Sequence, residues 1–305
     1  METQMKYRKL GRTGLQVSVV GLGTWQFGNE HWGKTFEQDD VSGIINRAYD
    51  LGINLIDTAA GYGDHTAETF IGEAIKEDRG DWVIATSCGH YPWNGKSADE
   101  SWDPDAIASQ IEASLNALQT DYIDILQLNA PATEHFNSTA IWDRLHRLVG
   151  EGIVNHIGIS VPDNGEDSLR QLERAPEFNI SVAQFLYNRL QPDAEEELLE
   201  ACQEHALGVL AGGPLASGFL SGNYPVGSRW EAPDLRATRS DDDIDALLAE
   251  VETLKAELPA GAQLPAWALS WVLENAAVAA VVPGSKSIEQ LEQNVACLNL
   301  LNTDY

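Results

Sequence analysis

Eight short β-type runs recur along this 305-residue chain with helical patterns between them, and no other feature constrains its fold as tightly. The runs are Val17 to Thr24, Ile53 to Thr58, Trp82 to Ser87, Ile123 to Leu128, Asn155 to Ser160, Val182 to Tyr187, Gly208 to Gly212 and Val278 to Pro283. Between them, Asp40 to Leu51, Pro104 to Leu118 and Thr139 to Val149 carry apolar residues at i, i+3, i+4 spacing, the mark of a helix with one face for a sheet. Strand, helix and strand repeated about every thirty residues specify right-handed βαβ units and a parallel sheet. Eight units predict an α/β fold closed as a single (β/α)8 TIM barrel spanning residues 1–305, a length one barrel accommodates. The competing doubly wound sheet announces its nucleotide site with G-x-G-x-x-G after the first strand, and that motif is absent there. Tyr7 to Val17 reads as two short runs around a glycine-containing turn, a hairpin placed to cover the barrel's bottom. Ala211 to Asp241 is the longest stretch without strand signals, and loops of that length are usually functional or disordered.

Chemistry in a barrel gathers where strands end and the following loops begin. The strand ends here are Gly23-Thr24-Trp25, Asp57, Ser87, Asn129, Ser160, Gln184, Gly213-Pro214 and Gly284-Ser285-Lys286, a small and polar set. One of them stands out. The run Asn54-Leu55-Ile56-Asp57 delivers a carboxylate and breaks into Thr58-Ala59-Ala60-Gly61, presenting Tyr62 five positions on. A carboxylate beside a phenol at a sheet mouth is a candidate acid/base pair. A lone Asp-Thr at a strand end also serves as an Asx-turn or helix cap, and only the rest of the chain weighs against that reading.

Composition removes other classes. Forty-seven acidic residues against nineteen basic ones give a formal charge of −28, which repels nucleic acid and anionic membranes. The acidity is dispersed and only seven residues are lysine, a pattern expected of a protein hydrated in concentrated salt. Cys88, Cys202 and Cys297 show neither paired nor metal-ligand spacing, and the seven histidines none either, so reduced thiols and no metal site are expected. Neither a signal-type apolar segment nor a run of about 18 apolar residues occurs. A soluble cytoplasmic protein is expected.

At these positions the chain resembles the aldo-keto reductase family over nearly its whole length. The resemblance rests on Lys9-Leu10-Gly11-Arg12-Thr13-Gly14, Gly21-Leu22-Gly23-Thr24-Trp25, Asp57-Thr58-Ala59 with Tyr62-Gly63, and Asp121 to Leu128. It continues with Gly158-Ile159-Ser160, Gln184, Pro214-Leu215-Ala216-Ser217-Gly218, and Pro283-Gly284-Ser285-Lys286-Ser287 with Gln290 and Asn294. It implies an eightfold barrel with a C-terminal helix and loop at its mouth, binding NADP (as NADPH) without a Rossmann domain and acting on a small-molecule substrate as a monomer or small homo-oligomer. Asp57 and Tyr62 would be two members of a tetrad of Asp, Tyr, Lys and His, with Tyr62 as proton donor to the substrate oxygen. Gly23, Thr24 and Trp25 would border the cofactor, Ser160 and Gln184 would hold its carboxamide, and Gly213, Pro214, Leu215 and Gly218 would lie along the pyrophosphate. Gly284, Ser285, Lys286, Gln290 and Asn294 would surround the adenosine 2′-phosphate. A lysine just before a helical pattern suits that group, since a helix N-terminus and an ammonium both attract phosphate.

The chain departs from the family at the other two tetrad positions. Ser87 stands where the resemblance expects lysine, Asn129 where it expects histidine, and Val161 follows Ser160 where asparagine is usual. A lysine about 4 Å from a phenolate contributes on the order of 4 kcal/mol, whereas a neutral hydrogen bond from serine contributes roughly 1 kcal/mol. Tyr62 is therefore expected to titrate nearer its ordinary value of about 10 than in a complete tetrad, where it would be lowered. Asp57 should lack its counter-charge and either rise in pKa or find another cation, with His65, His90 or a cationic substrate as candidates. Trp25, Tyr62, His90, Tyr91, Trp93 and Asn129 are the expected substrate pocket, with Trp102 also near the top loops. Two functions stay open: an oxidoreductase with an altered tetrad, or a non-catalytic NADP-binding regulatory barrel.

Overall fold

The computed structural model describes residues 4–29, 31–89, 98–162 and 165–301. Two short antiparallel strands, β1 (Tyr7–Lys9) and β2 (Gln16–Ser18), form the predicted hairpin. Eight parallel strands follow in sequential order: β3 (Leu22–Gly23), β4 (Leu55–Asp57), β5 (Val83–Cys88), β6 (Ile123–Asn129), β7 (Val154–Ser160), β8 (Ile180–Leu186), β9 (Gly208–Gly212) and β10 (Val278–Val281). The sheet curls back on itself. Gly21 N–H donates to the Val281 carbonyl at 2.8 Å and Gly23 N–H to the Pro283 carbonyl at 3.1 Å, while the Val281 N–H returns a bond to Val19 at 2.9 Å. A Cβ on Gly23 would lie 2.5 Å from the Val282 carbonyl oxygen, so the seam closes only over a glycine. Gln26 staples the same seam from above, its amide donating to the Gly23 and Ser285 carbonyls at 2.9 and 3.0 Å.

One predicted strand is not continuous. Val17 to Thr24 divides after Ser18: Val19 N–H still donates to the Lys6 carbonyl at 3.0 Å, whereas Gly21 N–H donates to the Val281 carbonyl, and the Asn54 side chain holds the Ser18 N–H between the two sheets at 2.7 Å. Residues before the break belong to the hairpin and those after it to the barrel. The other seven runs are strands within three residues of their expected bounds, and the three helical patterns are helices at Gln38–Asp50, Pro104–Ala117 and Thr139–Gly150. Local signals explain the helix starts. Glu37 and Asp40 form a capping box, and Asp103 accepts from the Asp105 N–H ahead of Pro104 in the first turn.

Strand alternation divides the core in two. Leu55, Val83, Ala85, Ile125, Val182, Leu210 and Ala280 point inward and pack with Leu10 and Val17 of the hairpin. Ile56, Ile84, Leu126, Leu128, Ile157 and Ile159 point outward to helix residues such as Val41, Ile44, Ile107, Ile141 and Leu145. Each such side chain contributes about 1.5–3 kcal/mol on burial. The hairpin seals the N-terminal end: Arg12 N–H donates to the Ala206 carbonyl at 2.9 Å and its guanidinium to the Ile180 carbonyl at 2.5 Å. What remains open is the C-terminal end. Among the described residues no helix is long and apolar enough to cross a membrane.

Candidate active site

The open end holds a cavity of about 690 Å³. Seventeen of the sequence-predicted site residues line it: Gly23, Thr24, Trp25, Asp57, Tyr62, Ser87, Asn129, Ser160, Gln184, Gly213, Pro214, Leu215, Gly218, Gly284, Lys286, Gln290 and Asn294. Ser285 does not. It is fully buried behind the wall, where its hydroxyl accepts from the Asn294 amide at 3.1 Å. His90, Tyr91 and Trp93 lie outside the described residues. Trp102 is absent from the lining; it packs over Gly89 and stacks on His135 with ring centroids 4.8 Å apart, because Gly89 leaves no side chain to hold it off.

Asp57 sits at the floor, at the end of β4, with 6% of its surface exposed. Its Oδ1 accepts from the Gln184 amide at 2.8 Å and from the Gln127 amide at 3.4 Å. Gln127 reaches inward from β6 over Gly158, where a Cβ would come within 2.9 Å of the Gln127 Cγ. Burial raises the Asp57 pKa to about 7, against the lowering effect of the two amides. The expected rescue by His65 does not occur. His65 Nδ1 instead pairs with Glu68, a fully buried carboxylate that also accepts from the Thr86 hydroxyl at 2.5 Å.

Tyr62 is carried on the turn after β4 and stacks against Trp25, with ring centroids 5.9 Å apart and planes 15° from parallel. Its pKa is not lowered, as expected without the lysine, but it does not stay at the ordinary value either. Burial, and then the negative charge of Asp57, push its pKa upward. Sequence reasoning weighed the missing lysine but not desolvation, which depends on how deeply the turn is seated. Ser87 and Asn129 stand beside this pair, at the ends of β5 and β6. Gln184, expected to face a carboxamide, already commits one amide N–H to Asp57.

The far side of the cavity is cationic. Lys286 donates through Nζ to the Trp32 carbonyl, and its backbone N–H donates to Gln290 Oε1 at 2.8 Å. Burial, with repulsion from Arg236 and Lys34, pulls its pKa below the ordinary lysine value against the attraction of Asp234. Arg236 also lines the cavity; it is 4% exposed, paired with Asp234 at 2.7 Å and covered by the rings of Tyr224 and Trp230. Arg236, Tyr224 and Trp32 were not singled out from the sequence. The length and composition of the 211–241 segment was the available signal, and two of the three lie in it. Between the two ends, the loop after β9 holds Ala216, Ser217 and Gly218 in the left-handed region, at φ of 49°, 55° and 87°. Three successive residues in that region bend the backbone sharply along the cavity wall.

Known proteins share this fold. The family model for the aldo/keto reductase family matches residues 19–305. An uncharacterized oxidoreductase, YqkF of Bacillus subtilis, is 31% identical over 97% of this chain and 92% of its own length. The NADH-specific methylglyoxal reductase of Escherichia coli is 29% identical over 98% and 95%. Among solved structures, the holo form of the aldo-keto reductase AKR11C1 from Bacillus halodurans superposes with a TM-score of 0.80 at 28% identity, covering 99% of this chain and 92% of that one. Barrel, cavity and comparisons agree: the chain belongs to the aldo/keto reductase family.

Proposed function

We propose that this protein is an NADP-dependent oxidoreductase that reduces a carbonyl, imine or enone group with an altered catalytic tetrad. The observation that carries the reading is the order of donors along one cavity. Hydroxyl and amide groups of Ser160 and Gln184 stand at the floor, the left-handed Ala216–Gly218 backbone along the side, and Lys286 with Arg236 at the far end. Those residues fit a dinucleotide with a carboxamide at one end and a 2′-phosphate at the other. Lys286 and Arg236 would hold the phosphate, Gly213 to Gly218 the pyrophosphate, and Ser160 with Gln184 the carboxamide. When bound, the reduced nicotinamide supplies a hydride.

The chain's own task is to bind, orient and protonate. Trp25 and Tyr62 form an aromatic wall beside Asp57, so a substrate lying on the wall has its reacting group near the phenol. Tyr62 donates its proton to the oxygen of a carbonyl or enone, and Ser87 and Asn129 supply neutral hydrogen bonds where a complete tetrad has charge. With its pKa raised, Tyr62 stays protonated at neutral pH, so little phenolate is present to take a proton from an alcohol, and the phenol is also a weaker acid toward a carbonyl oxygen.

Titration of the purified protein with NADPH and NADH, followed by tryptophan fluorescence, tests this reading. Selective NADPH binding with turnover of reactive aldehydes, imines or enones supports it. Binding without oxidation across such a panel supports the regulatory barrel instead, and no binding of either nucleotide rejects both. We also propose that the dispersed acidity adapts the fold to salt. Its melting temperature should rise between 0.1 and about 2 M KCl, as screening relieves self-repulsion.

A further inference from the structure

The floor of the cavity holds a buried carboxylate whose partners are two neutral amides. Among the described residues no cationic side chain pairs with Asp57. Beside it, Trp25 and Tyr62 stack as one wall, and Trp32 meets Trp25 edge-on with centroids 5.2 Å apart. A buried carboxylate sharing a cavity with aromatic rings is a surface that receives a desolvated cation, because ring faces and the anion attract the same charge. The cavity's own cations, Lys286 and Arg236, are engaged elsewhere, with Trp32 and Asp234.

We propose that the substrate is cationic at the reacting bond: an iminium ion or protonated imine, whose C=N⁺ rests against Trp25 and Tyr62 with its charge toward Asp57. This rests on the oxidoreductase reading above and narrows its substrate class. An iminium carbon accepts hydride from the dihydronicotinamide as the C=N π pair moves onto nitrogen. The donor is oxidised by two electrons, the product is a neutral amine, and no proton leaves the protein. The features that impair protonation of a carbonyl oxygen then cost nothing. Ser87 and Asn129 in place of charged groups, and an anion that discourages ionisation of Tyr62, are defects for a ketone and are harmless or helpful for an iminium. Asp57 is a binding residue for the substrate cation in this arrangement. A neutral ketone gains nothing from it, and the negative charge opposes an alkoxide forming at Tyr62.

The test uses apo protein and two ligands that share a bicyclic frame. One is 2-methyl-3,4-dihydroisoquinolinium, permanently cationic, and the other is 1-tetralone, a neutral carbonyl; both are titrated calorimetrically between pH 5.5 and 8.5. The cation should bind at least tenfold more tightly at pH 8.5. Its advantage should shrink as pH falls and Asp57 takes up a proton, and it should vanish in Asp57→Asn. Tyr62, His31, Lys286 and Arg236 also face the cavity, so the preference of Asp57→Asn, with all four intact, separates their titration from that of Asp57. Trp25→Leu should weaken cation binding more than ketone binding. Equal affinity for the two ligands, or a preference that survives Asp57→Asn, overturns the proposal. Should Asp57→Asn fail to fold, the wild-type pH profile decides, and a flat one overturns it. NADPH titrated into the same preparation keeps the two readings apart. Nucleotide binding without cation preference rejects only the iminium substrate, whereas loss of nucleotide binding rejects the oxidoreductase.

Discussion

The two ends of the cavity handle charge in opposite ways. At the far end, Lys286 and Arg236 stand together with one carboxylate, Asp234, and each cation is anchored by a specific partner. At the floor, a single carboxylate is buried with no cation against it among the described residues, and the groups around it are amides, a phenol, a hydroxyl and aromatic rings. In the proposed function one end keeps an anion that comes and goes, and the other holds an anion of its own. The contrast teaches that the two ends need not vary together: on that proposal the first would hold the family's cofactor, while the second would depart from the family's proton chemistry.

Breaking the reacting end should have the largest effect. Tyr62→Phe removes the proposed proton donor and should lower reduction of neutral carbonyls by about 10²–10⁴-fold while leaving NADPH affinity within a few-fold, read by steady-state rates beside fluorescence titration. If an iminium is the substrate, its reduction falls far less. The far end comes next. Lys286→Met should weaken NADPH by roughly 10–100-fold, the equivalent of about 1.5–3 kcal/mol for a charged hydrogen bond, with little change for NADH. Equal losses for both nucleotides would mean that the lysine does not read the phosphate.

The smallest effect sharpens the floor itself. Asp57 has a folded pKa of about 7, above its unfolded value near 4, so the folded state binds more protons between those pH values. Stability must therefore fall as pH rises from about 4 to 7 and stay low above. Asp57→Asn should exceed the wild type by on the order of 2 kcal/mol at pH 8 and match it below pH 4, measured by denaturant unfolding. A variant less stable than wild type at pH 8 would show that a cation reaches Asp57 in solution.

Much of this contrast was legible in the chain. A strand's end is a position in sequence as well as in space, so Asp57, Ser87, Asn129, Ser160 and Gln184 could be read off as convergent before any fold was known. What escaped depends on tertiary seating. Arg236 and Tyr224 come from a loop with no periodicity to place them, and the upward shift of Tyr62 follows from burial that no local pattern encodes. Val17 to Thr24 looked like one strand because its apolar run is unbroken. The change of partner, from Lys6 at Val19 to Val281 at Gly21, is set by segments far away in the chain.

The seam that closes the barrel has a consequence for how the protein comes into being. Gln26 and Ser285 are joined across 259 positions, and the ladder beneath them spans a similar separation. Loop-closure entropy for such a contact has to be met before the contact gives anything back, and high contact order slows folding. During synthesis, β3 to β9 can assemble as an open, curling sheet, but its last edge stays exposed until β10 emerges. Thr24 and Lys286, which flank that seam, share a cavity only afterwards. A chain released short of residue 278 would carry Asp57 and Tyr62 intact and still have no closed vessel around them.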